Sequence, residues 1–208
     1  VQKLKGADTL CFDTETDGVD PMKNELVGIS LSVTPKEAYY VPVRVQDALP
    51  VDETLQILQP LFADEQSLKI AHNFKFDYMI LKRASLDIEG DAFDTMIAAY
   101  LIDADQKLKM DTLAEEYLGY EPIPITDLIG SGRKQKSMDE FDPEEVRVYA
   151  CEDADITLRL YEVLSDKLEE DELDDIADQL EFPLIEVLAK MEMNGILLDK
   201  EMLSELSA

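Results

Sequence analysis

The amino-acid sequence predicts an α/β domain, a mixed five-stranded sheet flanked by helices. Three observations predict it. Short β-rich runs fill the first third of the chain, apolar patterns of helical period fill most of the rest, and single strand-like segments return between helical ones. The chain has 208 residues, of which 46% are apolar. That is enough for one ordinary core and the start of a second unit. No run of about 18 uncharged apolar residues occurs, so a membrane-spanning helix is not expected.

Taken in order, Thr9-Leu10-Cys11-Phe12 is a short apolar run ending at Asp13. Residues 26–33 and 38–43 are β-rich and joined by a turn at Thr34-Pro35-Lys36, so these first three strands should form an antiparallel meander. A helix is predicted from about Val51 to Phe62, a strand at Leu68–Ala71 and a helix from about Phe74 to Ala84. Ala92-Phe93 makes a fifth strand, and Asp94 or Thr95 caps a helix through Ile102. Residues 111–119 read as a helix broken by Glu121-Pro122-Ile123-Pro124, and Gly130–Lys136 reads as a mobile basic loop. Asp142, Pro143 and Glu145 give the next helix an N-cap, a first-turn proline and a capping box, and it should run to about Leu168. A last long helix is expected from about Asp175 to Met193, irregular at Pro183 and ended by Asn194-Gly195.

Charge is the most unusual property. There are 47 acids against 19 bases, a formal net charge of −28. Long-range repulsion of phosphate lowers the expectation of a free-standing nucleic-acid binder. It does not exclude one, because a divalent-cation site needs clustered carboxylates and a partner domain can supply a basic groove. Residues 162–208 carry 15 acids and 3 bases, a net of −12. The run Glu169-Glu170-Asp171-Glu172 reads as a solvated helix face or linker.

Three groups of residues carry chemistry. Asp13 and Glu15 stand two apart on a strand, so their carboxylates project to one face at its carboxyl end. Like charges so close are tolerable only with protons or cations between them, and hard divalent ions take such oxygen ligands. Acids are so frequent here that an acid-x-acid triple alone means little; the position after an apolar strand gives it weight. On the long helix, Val146, Tyr149, Ala150, Asp153, Ile156, Thr157 and Leu160 share a face. A buried acid there needs a partner or a metal ion, and Tyr149 lies one turn away. A basic partner for Asp153, or a rotated helix, is the competing reading; Glu152 and Asp155 read as the solvated side. Third, Asn73 and Asp77 also share a helical face, with ordinary capping by Asn73 as the simpler reading. His72 is the only histidine, too isolated for a histidine-based metal site or a serine-type triad, and neither cysteine has zinc spacing. Cys11 and Cys151 point to a reducing compartment rather than a disulfide framework. Asp13, Glu15, Asp77 and Asp153 together suit two-metal phosphoryl chemistry.

These segments resemble a known family. Phe12-Asp13-Thr14-Glu15-Thr16, His72-Asn73-Phe74-Lys75-Phe76-Asp77 and Tyr149-Ala150-Cys151-Glu152-Asp153 are similar, in order, to the three motifs of the DEDD exonucleases that carry tyrosine in the third. They look most like the proofreading domain of bacterial family A DNA polymerases. Ala92–Met96, Asp111–Ala114 and Glu152–Leu158 agree, and residues 182–196 resemble the start of the polymerase thumb.

The resemblance implies a ribonuclease-H-like fold and 3′→5′ removal of nucleotides from a DNA 3′ end. It implies two divalent ions, Mg²⁺ or Mn²⁺. One would sit on Asp13, Glu15 and Asp153; the second would share Asp13 and lie near Asp77, partly through water. Tyr149 and Glu15 would orient the attacking water, and Thr16, Val19, His72, Asn73 and Phe76 fall where the family contacts terminal nucleotides. Val19 replaces a usual leucine and Phe76 a usual tyrosine. Lys75, Lys107, Lys109 and the Arg133–Lys136 loop are the few candidate positive contacts.

The resemblance also implies an exonuclease unit over residues 1–170, followed by an acidic linker and truncated thumb helix over 171–208. The expected setting is a monomeric piece of a longer bacterial, cytoplasmic polymerase chain, without a membrane partner and acting on single-stranded DNA 3′ ends. Palm and fingers are missing, so this chain should not synthesise DNA. Two alternatives are an RNase-D-like or Werner-like exonuclease, and a catalytically silent scaffold domain of a polymerase.

Overall fold

The computed structural model describes residues 1–44, 48–132 and 135–207. Five strands form one sheet: β1 (Thr9–Thr16), β2 (Leu26–Thr34), β3 (Glu37–Pro42), β4 (Leu68–Ala71) and β5 (Ala92–Asp94). Their order is β3-β2-β1-β4-β5. The meander β1-β2-β3 is antiparallel, and β4 and β5 run parallel to β1. Two crossover helices make the parallel half possible: α1 (Val51–Phe62) leads into β4, and α2 (Phe74–Arg83) connects β4 to β5. This is the ribonuclease-H-like mixed sheet flanked by helices.

Alternation along β1 sorts its side chains. Leu10 and Phe12 point to one face, where the Phe12 ring meets Phe62 and Phe74 edge-on at centroid distances of 5.1 and 5.3 Å. Asp13 and Glu15 point to the other face, which is covered by the long helix α6 (Pro143–Glu170). The apolar stripe of α6, from Val146 through Ile156 and Leu160 to Leu168, lies buried against the sheet. Helix α3 (Thr95–Ile102) follows β5 directly, capped by Asp94.

Several elements differ from the sequence expectation. The helix expected over 111–119 is a short α4 (Met110–Leu113) that widens into a π turn over Ala114–Leu118, ended by Gly119 at φ +60°. The last long helix begins with α7 (Asp174–Ile176), passes through a π turn at Ala177–Glu181 and continues as α8 (Phe182–Asn194). Pro183 has no N–H to donate and its ring crowds the preceding turn, so the helix widens just before it. Asp142 does cap α6, accepting from the Glu144 N–H, but the reciprocal capping box falls one turn earlier, at Ser137 and Glu140. Helix α5 (Ile125–Ile129) and a 3₁₀ turn at Met138–Glu140 lie on either side of the expected basic loop, where the sequence pattern assigns no element. Of the expected basic loop, Arg133 and Lys134 lie outside the described residues. Helix α9 (Lys200–Leu206) follows, with no buried residue.

Ile129 and Met138, from α5 and the 3₁₀ turn, join Val27, Val146 and Ala150 in a satellite core beneath the open end of the sheet. The main core includes Phe182, Ile185 and Ala189 of α8. Both cysteines are unbonded. Among the described residues, no helix is long and apolar enough to cross a membrane.

One buried cation braces the far end of the sheet. Lys69 of β4 is fully buried, and its ammonium donates to the carbonyls of Asp64, Ser67 and Glu89 at 2.6, 2.7 and 2.9 Å. All three of its N–H donors are therefore used. Burial lowers its pKa, and the negative charges of Asp64, Asp91 and Glu89 oppose that shift. Lys69→Met leaves three carbonyls without donors, and about 2–4 kcal/mol of stability is expected to go. A urea titration checks this: the midpoint should fall with the slope unchanged.

Candidate active site

The site grows from a mismatch in strand length. β4 pairs with β1 only over Thr9, Leu10 and Cys11, so the last residues of β1 run on past its end. On its other edge β1 stays paired with β2 as far as Thr16. A parallel neighbour on one side and an antiparallel one on the other make a crevice at the carboxyl ends of β1 and β4, where open α/β sheets bind ligands.

Asp77, in the first turn of α2, fills the exposed edge of β1. One of its carboxylate oxygens accepts from the Thr14 backbone N–H at 3.2 Å and also from the Thr14 hydroxyl. The side chain of Thr14, between the two acids, thus fixes Asp77 beside them. Nothing in the spacing singles out Thr14; its role needs the unpaired stretch of β1.

On the opposite face, Asp13, Glu15 and Asp153 each bring a carboxylate oxygen within 4.8 Å of the others. Among the described residues this is the one such group of metal-ligating side chains. Helix α6 carries Asp153 to the strand end, and the satellite core holds its first turns in place. Asp153 and Asp77 are buried, with exposures of 5% and 2%. No basic side chain pairs with any of the four acids among the described residues.

The electrostatic consequence is a set of carboxyls that resist ionisation. Burial pushes Asp13 up to about 7. Burial and then the Asp13 charge raise Glu15 and Asp77, with the Thr14 hydrogen bonds opposing the rise at Asp77. Burial, Asp13 and Glu15 raise Asp153. Asp13 repels each of the other three and so lies at the centre of the group. One oxygen of Glu15, Oε1, is buried without a hydrogen-bond partner. Converging hard oxygen donors with no internal counter-ion fit a divalent cation.

Tyr149 packs against the satellite core with its hydroxyl beside Asp153. Burial, then the charges of Asp153, Glu15 and Asp13, push its phenol up, so it stays a protonated donor.

The residues expected to touch substrate surround this cluster without joining it. Val19, on the loop after β1, is 93% exposed. The Thr16 hydroxyl donates to the Gly18 carbonyl at 2.6 Å and shapes that loop. Asn73 precedes α2 in the left-handed region at φ +65°, and its side chain caps nothing. Phe76 is half-buried against the main core. The His72 ring is engaged: Nδ1 meets the Thr95 hydroxyl at 2.9 Å. Burial lowers its pKa to about 4, against the opposing effect of a hydrogen bond to the Leu108 carbonyl, so the ring is neutral at pH 7.

Asp94, not Asn73, takes the capping role at the start of α2. It is buried, and its carboxylate accepts from the N–H groups of Asn73 and Phe74 at 3.1 and 2.8 Å and of Met96 and Ile97 at 2.8 and 3.4 Å. One side chain thereby closes the amino ends of α2 and α3.

Three expectations need correction. Glu152 is half-exposed but engaged: it accepts from the Tyr120 hydroxyl at 2.6 Å and the Ile123 N–H at 2.7 Å. Asp155 accepts from the Lys36 backbone N–H and pairs with Arg159 at 3.5 Å. Lys75 is not a free positive contact, because it pairs with Glu192 of α8 at 2.5 Å.

The fold and the acid cluster define a nuclease of the ribonuclease-H-like class. A family model described as 3′-5′ exonuclease matches residues 1–169, and the chain belongs to that family. The chain is 44% identical to DNA polymerase I of Chloroflexus aurantiacus over 209 residues, covering 99% of this chain and 22% of that protein. It is 39% identical to DNA polymerase I of Pseudomonas aeruginosa, covering 98% and 23%. It therefore spans less than a quarter of these relatives' length and corresponds to their exonuclease domain. Among solved structures, the POL domain of Pol1 from M. smegmatis, in complex with DNA primer-template and dNTP, has a TM-score of 0.78 at 20% identity, covering 99% of this chain and 32% of that one. Brucella melitensis NrnC has a TM-score of 0.71 at 22% identity, covering 91% and 87%. At that identity the structures speak for the fold.

Proposed function

We propose that this chain removes nucleotides one at a time from the 3′ end of single-stranded DNA, as the proofreading part of a longer DNA polymerase I chain. The observation that carries this reading is the convergence of Asp13, Glu15 and Asp153 at the end of β1, with Asp77 held beside them by Thr14. Asp13, Glu15 and Asp153 would hold one Mg²⁺ or Mn²⁺ ion, and Asp13 with Asp77 a second. Bound there, divalent cations lower the pKa of the attacking water and stabilise the departing 3′ oxygen.

The chain's own residues do the positioning. Tyr149, protonated and fixed by the satellite core, donates a hydrogen bond to orient the water. Glu15 accepts a proton-bearing edge of the same water. Asp94 fixes the amino end of α2, which keeps Asp77 against β1 and presents the uncommitted Asn73 side chain toward substrate. Val19 offers an exposed apolar side chain to a terminal base; Thr16, His72 and Phe76 complete the surface around the terminal nucleotides. Residues 1–170 form the nuclease unit, and 171–208 lead through the acidic turn into the thumb. The chain acts as a monomer in the bacterial cytoplasm, tethered to its polymerase.

The test is a 5′-labelled single-stranded DNA oligonucleotide incubated with the chain and Mg²⁺ or Mn²⁺. A ladder shortening from the 3′ end, suppressed by EDTA, is expected. An intact oligonucleotide at high enzyme and Mn²⁺, for this chain and for the full-length protein alike, would sink the reading in favour of a silent scaffold.

A further inference from the structure

Two buried polar atoms at the edge of the acid cluster have no hydrogen-bond partner. One is Glu15 Oε1 on β1; the other is the hydroxyl of Tyr40 on β3. The sheet register brings them together. Asp13 lies opposite Ser30, which lies opposite Tyr40; Glu15 lies opposite Gly28, which lies opposite Pro42. Residues opposite one another share a face, and so do residues two apart, so Tyr40, Asp13 and Glu15 all point toward α6.

Tyr40 does not stand upright in its own row. A Cβ placed on Gly28 would lie 2.2 Å from the Tyr40 hydroxyl oxygen and 2.4 Å from its ring. The phenol is therefore laid across the site of the missing side chain, in the row that belongs to Glu15. Gly28 sits within β2 and shows no positive φ; its value here is empty space. The hydroxyl is a donor under working conditions, since burial and then the Glu15 charge keep it protonated. A buried donor without an acceptor thus lies alongside a buried acceptor without a donor, and each such orphan is costly unless it has a use.

We propose that Tyr40 is a positioning residue for the nuclease reaction: its hydroxyl donates to Glu15 Oε1 when the carboxylate group takes up a cation, which leaves the other Glu15 oxygen for the ion and the water. The proposal rests on the metal-site reading above and adds an outer support to it, as metal-ligating carboxylates commonly have.

The experiment compares the wild-type chain with Tyr40→Phe, which keeps the ring and removes only the hydroxyl. Mn²⁺ binding is measured by calorimetry without DNA, melting in EDTA, and kcat and KM on the labelled oligonucleotide. Mn²⁺ affinity is expected to weaken about tenfold. The kcat should fall by a similar factor, with KM unchanged. Melting in EDTA should be unchanged or higher, since a buried orphan hydroxyl is gone. Gly28→Ala, which displaces the hydroxyl without deleting it, should weaken Mn²⁺ binding in the same direction. A wild type that binds Mn²⁺ while both variants bind it equally well overturns the role of Tyr40 alone. A wild type that binds no Mn²⁺ overturns the metal site itself, and this proposal with it.

Discussion

Asp13→Ala is expected to abolish 3′→5′ shortening of the labelled oligonucleotide, a loss of at least about 10³-fold, the upper end of what deleting one preorganised electrostatic group costs. The reason is its place at the centre of the site. It repels Glu15, Asp77 and Asp153 alike, so its side chain borders both halves of the carboxylate group. Removing it takes a ligand from each of the two proposed ions, and Mn²⁺ binding measured by calorimetry should disappear with the activity. Asp77→Asn separates charge from position. An asparagine oxygen can still accept from the Thr14 N–H and hydroxyl, which now hold Asp77 in place. This variant should melt no lower than the wild type in EDTA and retain the cation site made by Asp13, Glu15 and Asp153, yet lose most of its cleavage rate. If Asp13→Ala cleaves within tenfold of wild type in Mg²⁺, the four acids are not the reaction centre.

The parts of this site differ in how far sequence alone reveals them. Period-two alternation puts Asp13 and Glu15 on one face of β1, and period-3.6 spacing puts Tyr149 and Asp153 on the buried face of α6. Both patterns are local, so they survive without knowledge of the fold. The grip of Thr14 on Asp77 is not local. It exists because β4 stops short of the end of β1, which only the sheet register shows. The same holds for Tyr40, which reaches Glu15 across an intervening strand and a glycine. Helix α5 escapes a periodicity search because it is five residues long and follows Pro122 and Pro124, which read as breakers. It nonetheless supplies Ile129 to the satellite core that steadies Tyr149. Charge is the least legible property of all. Glu152 and Asp155 look solvated on a helical wheel, but Tyr120, Ile123 and Lys36 reach them from distant parts of the chain.

The same clustering that prepares the site for cations should destabilise the protein without them, and the sign of that effect can be measured. Asp13 ionises near 4 in an unfolded chain and at about 7 when folded. A carboxyl raised by folding contributes stability that is fully present below the unfolded pKa and is lost as pH rises through the folded one. In EDTA, Asp13→Asn should therefore melt close to the wild type at about pH 3, below the unfolded pKa, where the wild-type side chain is neutral both folded and unfolded. It should melt several degrees above the wild type at pH 7.5, where only the wild type carries the buried charge. The Asp13 charge also raises Glu15, Asp77 and Asp153, so its removal eases their ionisation too and widens the gap in the same direction. Divalent ions should reverse the order. At a concentration of about 100 times Kd, a single bound ion contributes about 2.7 kcal/mol, enough to raise the melting temperature of a chain this size by about 5–10 °C. That rise belongs to the wild type and not to Asp13→Asn, which lacks a ligand. A pH-independent gap between the two in EDTA, or an equal response of both to Mn²⁺, would show that the acids at the end of β1 are neither electrostatically coupled nor joined by a cation.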